Sequence, residues 1–330
     1  MRNLLVKYSF AALATLIPAV SFHAQSLESS FEFLKLPVSA HCSSLGGNAV
    51  SLNDPDPTLF ISNPALLNSI DSRILGLNAM TWFSGTTIAG VQFCNAFDER
   101  STYAFNARYV NYGKMDETTA DGTVTGTFRA KDMALGISFS YMLNDRLSGG
   151  VTGNLIYSHY ASMTSAAVGV DLGLLYSDED RGVSVGLAAT NLGGQIKAFE
   201  NTFQKLPSDL CAGVTWQLAH APLRFTLSMD NLTRWKPEDF HFAADEESSF
   251  GQIFKRHISF GTDVMLTDRF HVSAGCNLRT RAELSGQGRK GLTGFSAGTG
   301  IRLGKIMFDL SYGKYQVSES SLICNFAFSI

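Results

Sequence analysis

Beyond its first two dozen residues the sequence has no apolar run near the roughly twenty residues that a membrane-crossing helix needs. That excludes a helical membrane protein. Charge is scarce as well: Asp, Glu, Lys and Arg make up 17% of 330 residues and leave a net charge of −3. No basic stripe is present, which excludes a nucleic-acid binder. Cys42, Cys94, Cys211, Cys276 and Cys324 show no CxxC spacing, and an odd number leaves at least one thiol unpaired. Four of them lie in strand-like segments, where they read as small apolar fillers. Catalytic signatures are missing too. The seven histidines are scattered, with no HExxH, no Cys/His ligand spacing and no GxSxG elbow. Ser158 beside His159 has no evident acidic partner, and Gly298-Thr299-Gly300 follows a strand pattern rather than a phosphate-binding turn. The expectation is a non-enzyme without cofactor or metal.

What is present is alternation. From Met133 to Tyr141, the residues Met133, Leu135, Ile137, Phe139 and Tyr141 share one face, while Ala134, Gly136, Ser138 and Ser140 share the other. A period of two means a strand. The same holds for Phe295, Ala297, Thr299 and Ile301 against Gly294, Ser296, Gly298 and Gly300. It holds again for Leu322, Cys324, Phe326, Phe328 and Ile330 against Ile323, Asn325, Ala327 and Ser329. A soluble sandwich would place charge on the face opposite its bulky residues. Here that face carries Gly, Ala and Ser, as suits a barrel whose greasy side meets lipid.

Cut at its charged turns, residues 74–330 give about fourteen such segments of roughly ten residues, the repeat of a transmembrane antiparallel barrel. The predicted strands cover 74–82, 86–97, 101–112, 131–143, 146–159, 164–177, 181–192, 208–218, 222–232, 255–266, 269–280, 292–303, 305–315 and 320–330. Links after even strands are short, and the long links, at 113–130, 193–207, 233–254 and 281–291, all follow odd strands. Short turns at one end and long loops at the other are what an outer-membrane barrel shows. Aromatics at the strand ends are candidate interfacial girdles: Trp82, Tyr112, Tyr160, Trp235 and Tyr315 outside, Phe97, Tyr141, Tyr176 and Trp216 inside. Plain β-propensity of Tyr and Trp is the alternative.

Charge placement weighs more than hydrophobicity, because Lys or Arg facing hydrocarbon at mid-barrel costs about 2–4 kcal/mol. Eight charges fall mid-strand: Arg108, Asp171, Arg224, Asp230, Asp263, Arg279, Arg302 and Asp309. Parity puts all eight on the small-residue face, hence inward. They could line a water-filled path or pair with one another. The balanced signs favour pairing, since a selective pore concentrates one sign.

Residues 1–24 read as a secretory signal peptide: Arg2 and Lys7 precede an apolar run, Pro18 comes late in it, and small residues lead to cleavage near Ala24. The run is short for a membrane anchor. Residues 25–73 do not alternate and read as turns and short apolar stretches, a segment able to fold into the lumen as a plug or hatch. Within it Asp54 and Asp56 each precede a proline, which favours turn formation over calcium binding.

Phe33-Leu34, Leu36-Pro37-Val38-Ser39-Ala40, Leu45-Gly46-Gly47, the turn at Asp54 and Asp56, and Asn63-Pro64-Ala65-Leu66-Leu67 together resemble the opening of PorQ proteins of the type IX secretion system in Bacteroidetes. The likeness continues through Tyr109 to Gly113, Asp171 to Tyr176, Asn191 to Gly194 and Leu206-Pro207, and so covers nearly the whole chain after the signal peptide. It extends to PorV and, more distantly, to the FadL fatty-acid transporters, whose barrel has fourteen strands and an N-terminal hatch. The resemblance implies an outer-membrane component of an attachment complex in a Gram-negative cell, holding a PorZ-like surface protein beside PorU-like and PorV-like components. It also leaves two alternatives: a FadL-like transporter of hydrophobic compounds and a PorV-like cargo shuttle. No partner-contact residue carries over.

One outer loop stands out. Glu238, Asp239, Asp245, Glu246 and Glu247 are interleaved with Trp235, Phe240, Phe242 and Phe250. The acids alone suit a solvated loop, or one that bridges lipopolysaccharide through divalent ions. Four aromatics are unusual for plain solvation and mark a candidate partner surface.

Overall fold

The computed structural model describes residues 30–119, 121, 123–199, 203–242, 248–284, 291–315 and 320–330. The expected signal peptide, residues 25–29, and Asp245, Glu246 and Glu247 lie outside the described residues. Among the described residues, no helix is long and apolar enough to cross a membrane. Fourteen antiparallel strands close into one barrel: β1 (Ile74–Thr81), β2 (Thr87–Asp98), β3 (Ser101–Thr118), β4 (Val124–Asn144), β5 (Leu147–Tyr160), β6 (Met163–Asp178), β7 (Val183–Lys197), β8 (Asp209–Gln217), β9 (Leu223–Met229), β10 (Ile258–Thr267), β11 (Phe270–Asn277), β12 (Phe295–Leu303), β13 (Ile306–Gly313) and β14 (Ser321–Ser329). Each strand pairs with its sequence neighbours, and β1 closes on β14 through Ile74 opposite Ser329 and Met80 opposite Ile323. Closure removes the unpaired edges that lipid would not tolerate.

Parity sets the two faces as the alternation implies. On β4, Leu135 and Ile137 are 48% and 62% exposed, while Gly136 between them and Ala134 and Ser138 on either side are buried. The bulky set coats the outside, and the small and polar set faces in.

The inward space is occupied by the chain's own start. Residues 31–70 pass through the lumen as 3-10 turns and a short helix, α1 (Ala40–Ser44), which Ser39 caps by accepting the Cys42 N–H. Phe31 and Phe33 pack among Met80, Ile88, Val110 and Ile156 toward the long-loop end. Leu45, Leu52, Leu59 and Leu66 cluster with Leu175 at mid-barrel. Phe60, Leu67 and Ile70 meet Ile74, Cys94, Ala104 and Ala327 toward the short-turn end. Each large apolar side chain so covered contributes about 1.5–3 kcal/mol. Close approach requires wall residues without side chains. A Cβ on Gly275 would collide with the Leu45 and Gly46 backbone, and one on Gly186 with that of Val50.

Several boundaries differ from the alternation pattern. The expected loop 113–130 is largely strand: β3 and β4 run on past a bulge at Asn111 to Lys114, where Gly113 takes φ +79°. Its polar residues gave no period-two signal, yet continued ladder pairing satisfies their backbone. Residues 255–256 do not begin a strand. Ser249 accepts the Gln252 N–H and starts helix α2 (Phe250–Arg256), in which Ile253 is the buried apolar residue. Arg279 is likewise not on a strand. The Asn277 side chain accepts the Thr280 N–H and turns the chain into α3 (Leu278–Glu283). Asp230 sits one residue past the end of β9.

The girdle expectation is also corrected at the outer rim. Tyr112 and Tyr160 point inward and donate to the buried Asp132 at 2.6 and 2.8 Å, and the Tyr315 hydroxyl meets Ser43 at 2.8 Å. A buried carboxylate and a buried hydroxyl hold these phenols more strongly than a headgroup region would. Phe97, Tyr176 and Trp216 near the opposite rim are exposed on the outside.

Candidate functional site

The densest polar chemistry lies where the N-terminal segment meets the wall of β9, β10, β12 and β13. Arg224 on β9 grips Asp54 with both terminal nitrogens, at 2.9 and 3.0 Å, and donates from Nε to Asp263 on β10 at 2.7 Å. Its planar fork matches one carboxylate and leaves Nε for the second. His41 of α1 reaches the same Asp263 with Nε2 at 3.0 Å and lies 3.6 Å from Asp54. Arg302 on β12 adds a longer contact to Asp54 at 3.7 Å. His271 on β11 stacks on His41 with centroids 4.3 Å apart and lies 3.7 Å from Asp309 on β13.

Burial makes this junction costly unless it is complete. Asp263 is fully buried, and Arg224 and His41 nearly so. Burial pulls the His41 imidazole toward neutrality, but the Asp263 and Asp54 carboxylates outweigh it and hold its pKa above the ordinary 6.5. For Asp54, burial pushes upward, and Arg224, His41 and Arg302 together hold it well below the usual carboxylate range. The junction therefore favours its fully ionised form, two cations fitted between carboxylates of segment and wall.

The other inward charges are placed separately. Arg108 donates to the backbone carbonyls of Phe33 at 3.1 Å and Leu36 at 3.4 Å, tying down the far end of the segment. Asp171 accepts from the Asn191 N–H and the Asn154 amide, both at 2.6 Å, at a bulge where Asn191 takes φ +56°. Asp230 gathers with Asp209 and Cys211, and its Oδ1 is buried without a hydrogen-bond partner. Arg279 pairs with Glu283 within its own helix at 3.1 Å and lies over the Phe240 ring. Six of the eight expected inward charges thus sit on strands facing the lumen, and three of those, Arg224, Asp263 and Arg302, meet the segment at one junction.

The N-terminal motifs hold the segment's shape. Asn63 accepts the Ala65 N–H, so Pro64 begins a 3-10 turn, and its amide donates to the carbonyls of Val50 at 2.7 Å and Leu174 at 3.1 Å. Leu45 lies against Gly261 and Gly275, and Gly46 and Gly47 take φ +98° and +140° in the turn that follows α1. The Gly46 carbonyl accepts the Asn277 amide at 3.1 Å. Asp56 caps Thr58 at its N–H and hydroxyl, a local turn, whereas Asp54 makes the long-range ion pair.

Sequence reasoning missed His41, Asp132 and His271. Asp132 had a readable signal, an inward parity within a predicted strand. Ser158 does find an acidic partner in Asp132, but Ser158 and His159 are adjacent strand residues and face opposite sides, so no nucleophile and base meet. Of the loop aromatics, Phe240 is buried, Phe242 lies under the Arg256 guanidinium at 4.0 Å, and Trp235 and Phe250 are exposed and stacked on each other at 5.9 Å.

Hollows of different character accompany this arrangement. Between segment and wall lies a polar cavity of about 70 Å³, lined by Leu36, Asn106, Arg108, Asn154, Asp171 and Asn191 among others. A polar recess of about 360 Å³ at the short-turn end reaches Asn53 and Arg224. On the outer wall, Phe93, Phe105, Leu135, Ile137, Leu155 and Val168 border an apolar hollow of about 750 Å³.

No family model and no curated protein matches the chain. Solved structures share its fold. The toluene transporter TbuX of Ralstonia pickettii aligns with a TM-score of 0.59 at 12% identity, over 90% of this chain and 100% of that one. The toluene transporter TodX of Pseudomonas putida gives 0.58 at 14% identity, over 92% and 99%. A Pseudomonas aeruginosa FadL homologue gives 0.50 at 11% identity, over 89% and 98%. The chain shares the barrel fold of these proteins, of which TbuX and TodX are toluene transporters.

Proposed function

We propose that this chain is a non-catalytic outer-membrane barrel, closed by its own N-terminal segment as a plug, that anchors a partner protein at the cell surface. The observation that carries the reading is the filled lumen. The hollows found beside the segment are a polar cavity of about 70 Å³ and a polar recess of about 360 Å³ at the short-turn end, whereas sites for organic ligands are mostly apolar. A barrel so filled serves better as a rigid mount than as a conduit. The resemblance to PorQ proteins names the kind of partner: a PorZ-like surface protein, with PorU-like and PorV-like components nearby, in a type IX secretion attachment complex of a Bacteroidetes-type cell. Gentle solubilisation of native outer membranes should recover the chain bound to a large surface protein, and its deletion should release attached cargo into the medium. Purification alone, with cargo still attached in the deletion strain, would refute the anchor.

The comparisons favour a second reading, a channel for small hydrophobic compounds, because two of the fold neighbours carry toluene. The apolar hollow on the outer wall supports it, since Asn106 and Asn154 border both that hollow and the lumenal cavity. Uptake of labelled toluene or fatty acid that falls on deletion would favour transport. Unchanged uptake would leave the anchor.

A further inference from the structure

The loop between β9 and β10 divides its aromatics between two surfaces. Phe240 and Phe242 are held inside by Arg279 and Arg256. Trp235, Phe250 and Phe254 turn outward, 38%, 73% and 39% exposed, and stack on one another with centroids 5.9 to 6.4 Å apart. Phe250 and Phe254 are four apart on α2 and so share one helix face.

Where this face lies can be read from its neighbours. On β11, Phe270, Val272 and Ala274 face outward, and Cys276 has the same parity, yet Cys276 is buried. The element that follows it is α3, whose Arg281 lies 4.8 Å over the outward-facing ring of Phe295 on β12. Helix α3 therefore sits on the rim of the wall, reaching its lipid side at Arg281 while Thr280 lies with Ser43 and Gly46 on the lumenal side, and α2 packs against α3. Helix α2 also leads directly into β10, whose outward residues begin with Ile258 and Phe260. Arg234, Lys236 and Lys255 flank the aromatic face, with the acidic Glu238 two residues beyond Lys236, and Lys236, Lys255 and Glu238 are exposed.

From this continuity with the lipid-facing wall we infer that Trp235, Phe250 and Phe254 form a foot resting in the outer leaflet, with the flanking basic side chains at the phosphate groups of anionic lipids. The occupant is a lipid surface rather than a protein. An amphipathic helix of this kind buries its apolar face about 5–10 Å into the headgroup and acyl boundary, while adjacent cations reach anionic headgroups. The inference does not depend on whether the lumen is closed. It removes Trp235 and Phe250 from the surfaces available to a partner.

The three tryptophans are Trp82, Trp216 and Trp235, so Trp82→Phe with Trp216→Phe leaves Trp235 as sole emitter. This protein is reconstituted into phosphatidylcholine vesicles, with and without phosphatidylglycerol, that carry bromine at defined depths on the acyl chains. Bromine near the headgroup should quench Trp235 about twofold or more and deep bromine less, as for a side chain at the boundary. Phosphatidylglycerol should strengthen the shallow quenching, and Lys236→Gln with Lys255→Gln should abolish that gain. If the double Trp variant does not fold, the difference between wild type and Trp235→Phe gives the same reading. Quenching by aqueous iodide but not by bromolipid would overturn the inference. So would emission that shifts only when a protein partner is added.

Discussion

Replacing Arg224 with Met keeps most of the side chain's volume and removes every charge-assisted bond it makes. Asp54 and Asp263 are then left buried, with His41, the 3.7 Å contact of Arg302 and the Ser273 hydroxyl to answer two carboxylates. Breaking a buried ion pair from one side costs about 3–5 kcal/mol. At about 1.4 kcal/mol per factor of ten, the segment's open population should rise by about a hundredfold to a few thousandfold. Cys42 reports on this directly. It lies on α1, is buried, and burial pushes its thiol up to about 12, so it is inert while the segment is seated. Maleimide labelling of Cys42, in a variant whose other four cysteines are Ser or Ala, should be very slow in the parent and accelerate by that factor in Arg224→Met. Unchanged mobility of the unheated barrel on a denaturing gel would show that the wall still folds. Equal labelling rates in parent and variant would refute the idea that this junction holds the segment.

The same labelling should depend on pH with a minimum. His41, raised above 6.5, contributes fully below that value and loses its contribution as pH rises through its folded pKa. Asp54, lowered from 3.8, contributes above that value and loses its contribution as pH falls through its folded pKa. Opening, after correction for the maleimide's own pH dependence, should therefore be rarest between about pH 4 and 6.5, and a flat profile would contradict the ionised junction. Gly275→Val should displace Leu45 and cost about 1–3 kcal/mol, read as faster Cys42 labelling of a barrel that still folds; labelling at the parent's rate would contradict the close approach. Ile137→Lys, on the outward face, should destabilise the barrel by about 2–4 kcal/mol in urea unfolding, whereas inward Ser138→Ala should change it far less. Equal effects would sink the assignment of faces.

The barrel was largely legible because its signal is local. Period two along β4, β12 and β14 fixes which side chains face lipid without knowledge of any partner strand. The junction was not legible, since nothing near Asp54 points to Arg224, which lies 170 positions away. Parity could place Arg224 inside the barrel but could not choose its counter-ion. His41 and His271 went unremarked because a histidine in a short helix or a strand carries no spacing signal. The alternation pattern divides α2 between an outer loop and a strand start at Lys255, and α3 between a strand end at Thr280 and the loop after it, because seven and six residues give a helical period little room. Resemblance alone singles out the motif Asn63-Pro64. Only the coordinates assign it the work of bridging Val50 and Leu174.

The central claim is that the lumen is closed by the chain's own N-terminal segment. Single-channel recording of the protein in planar bilayers, beside the Arg224→Met variant, tests it most directly. Wild type should pass no steady ionic current, with openings appearing only in the variant. Steady conductance through the wild-type barrel would contradict the account.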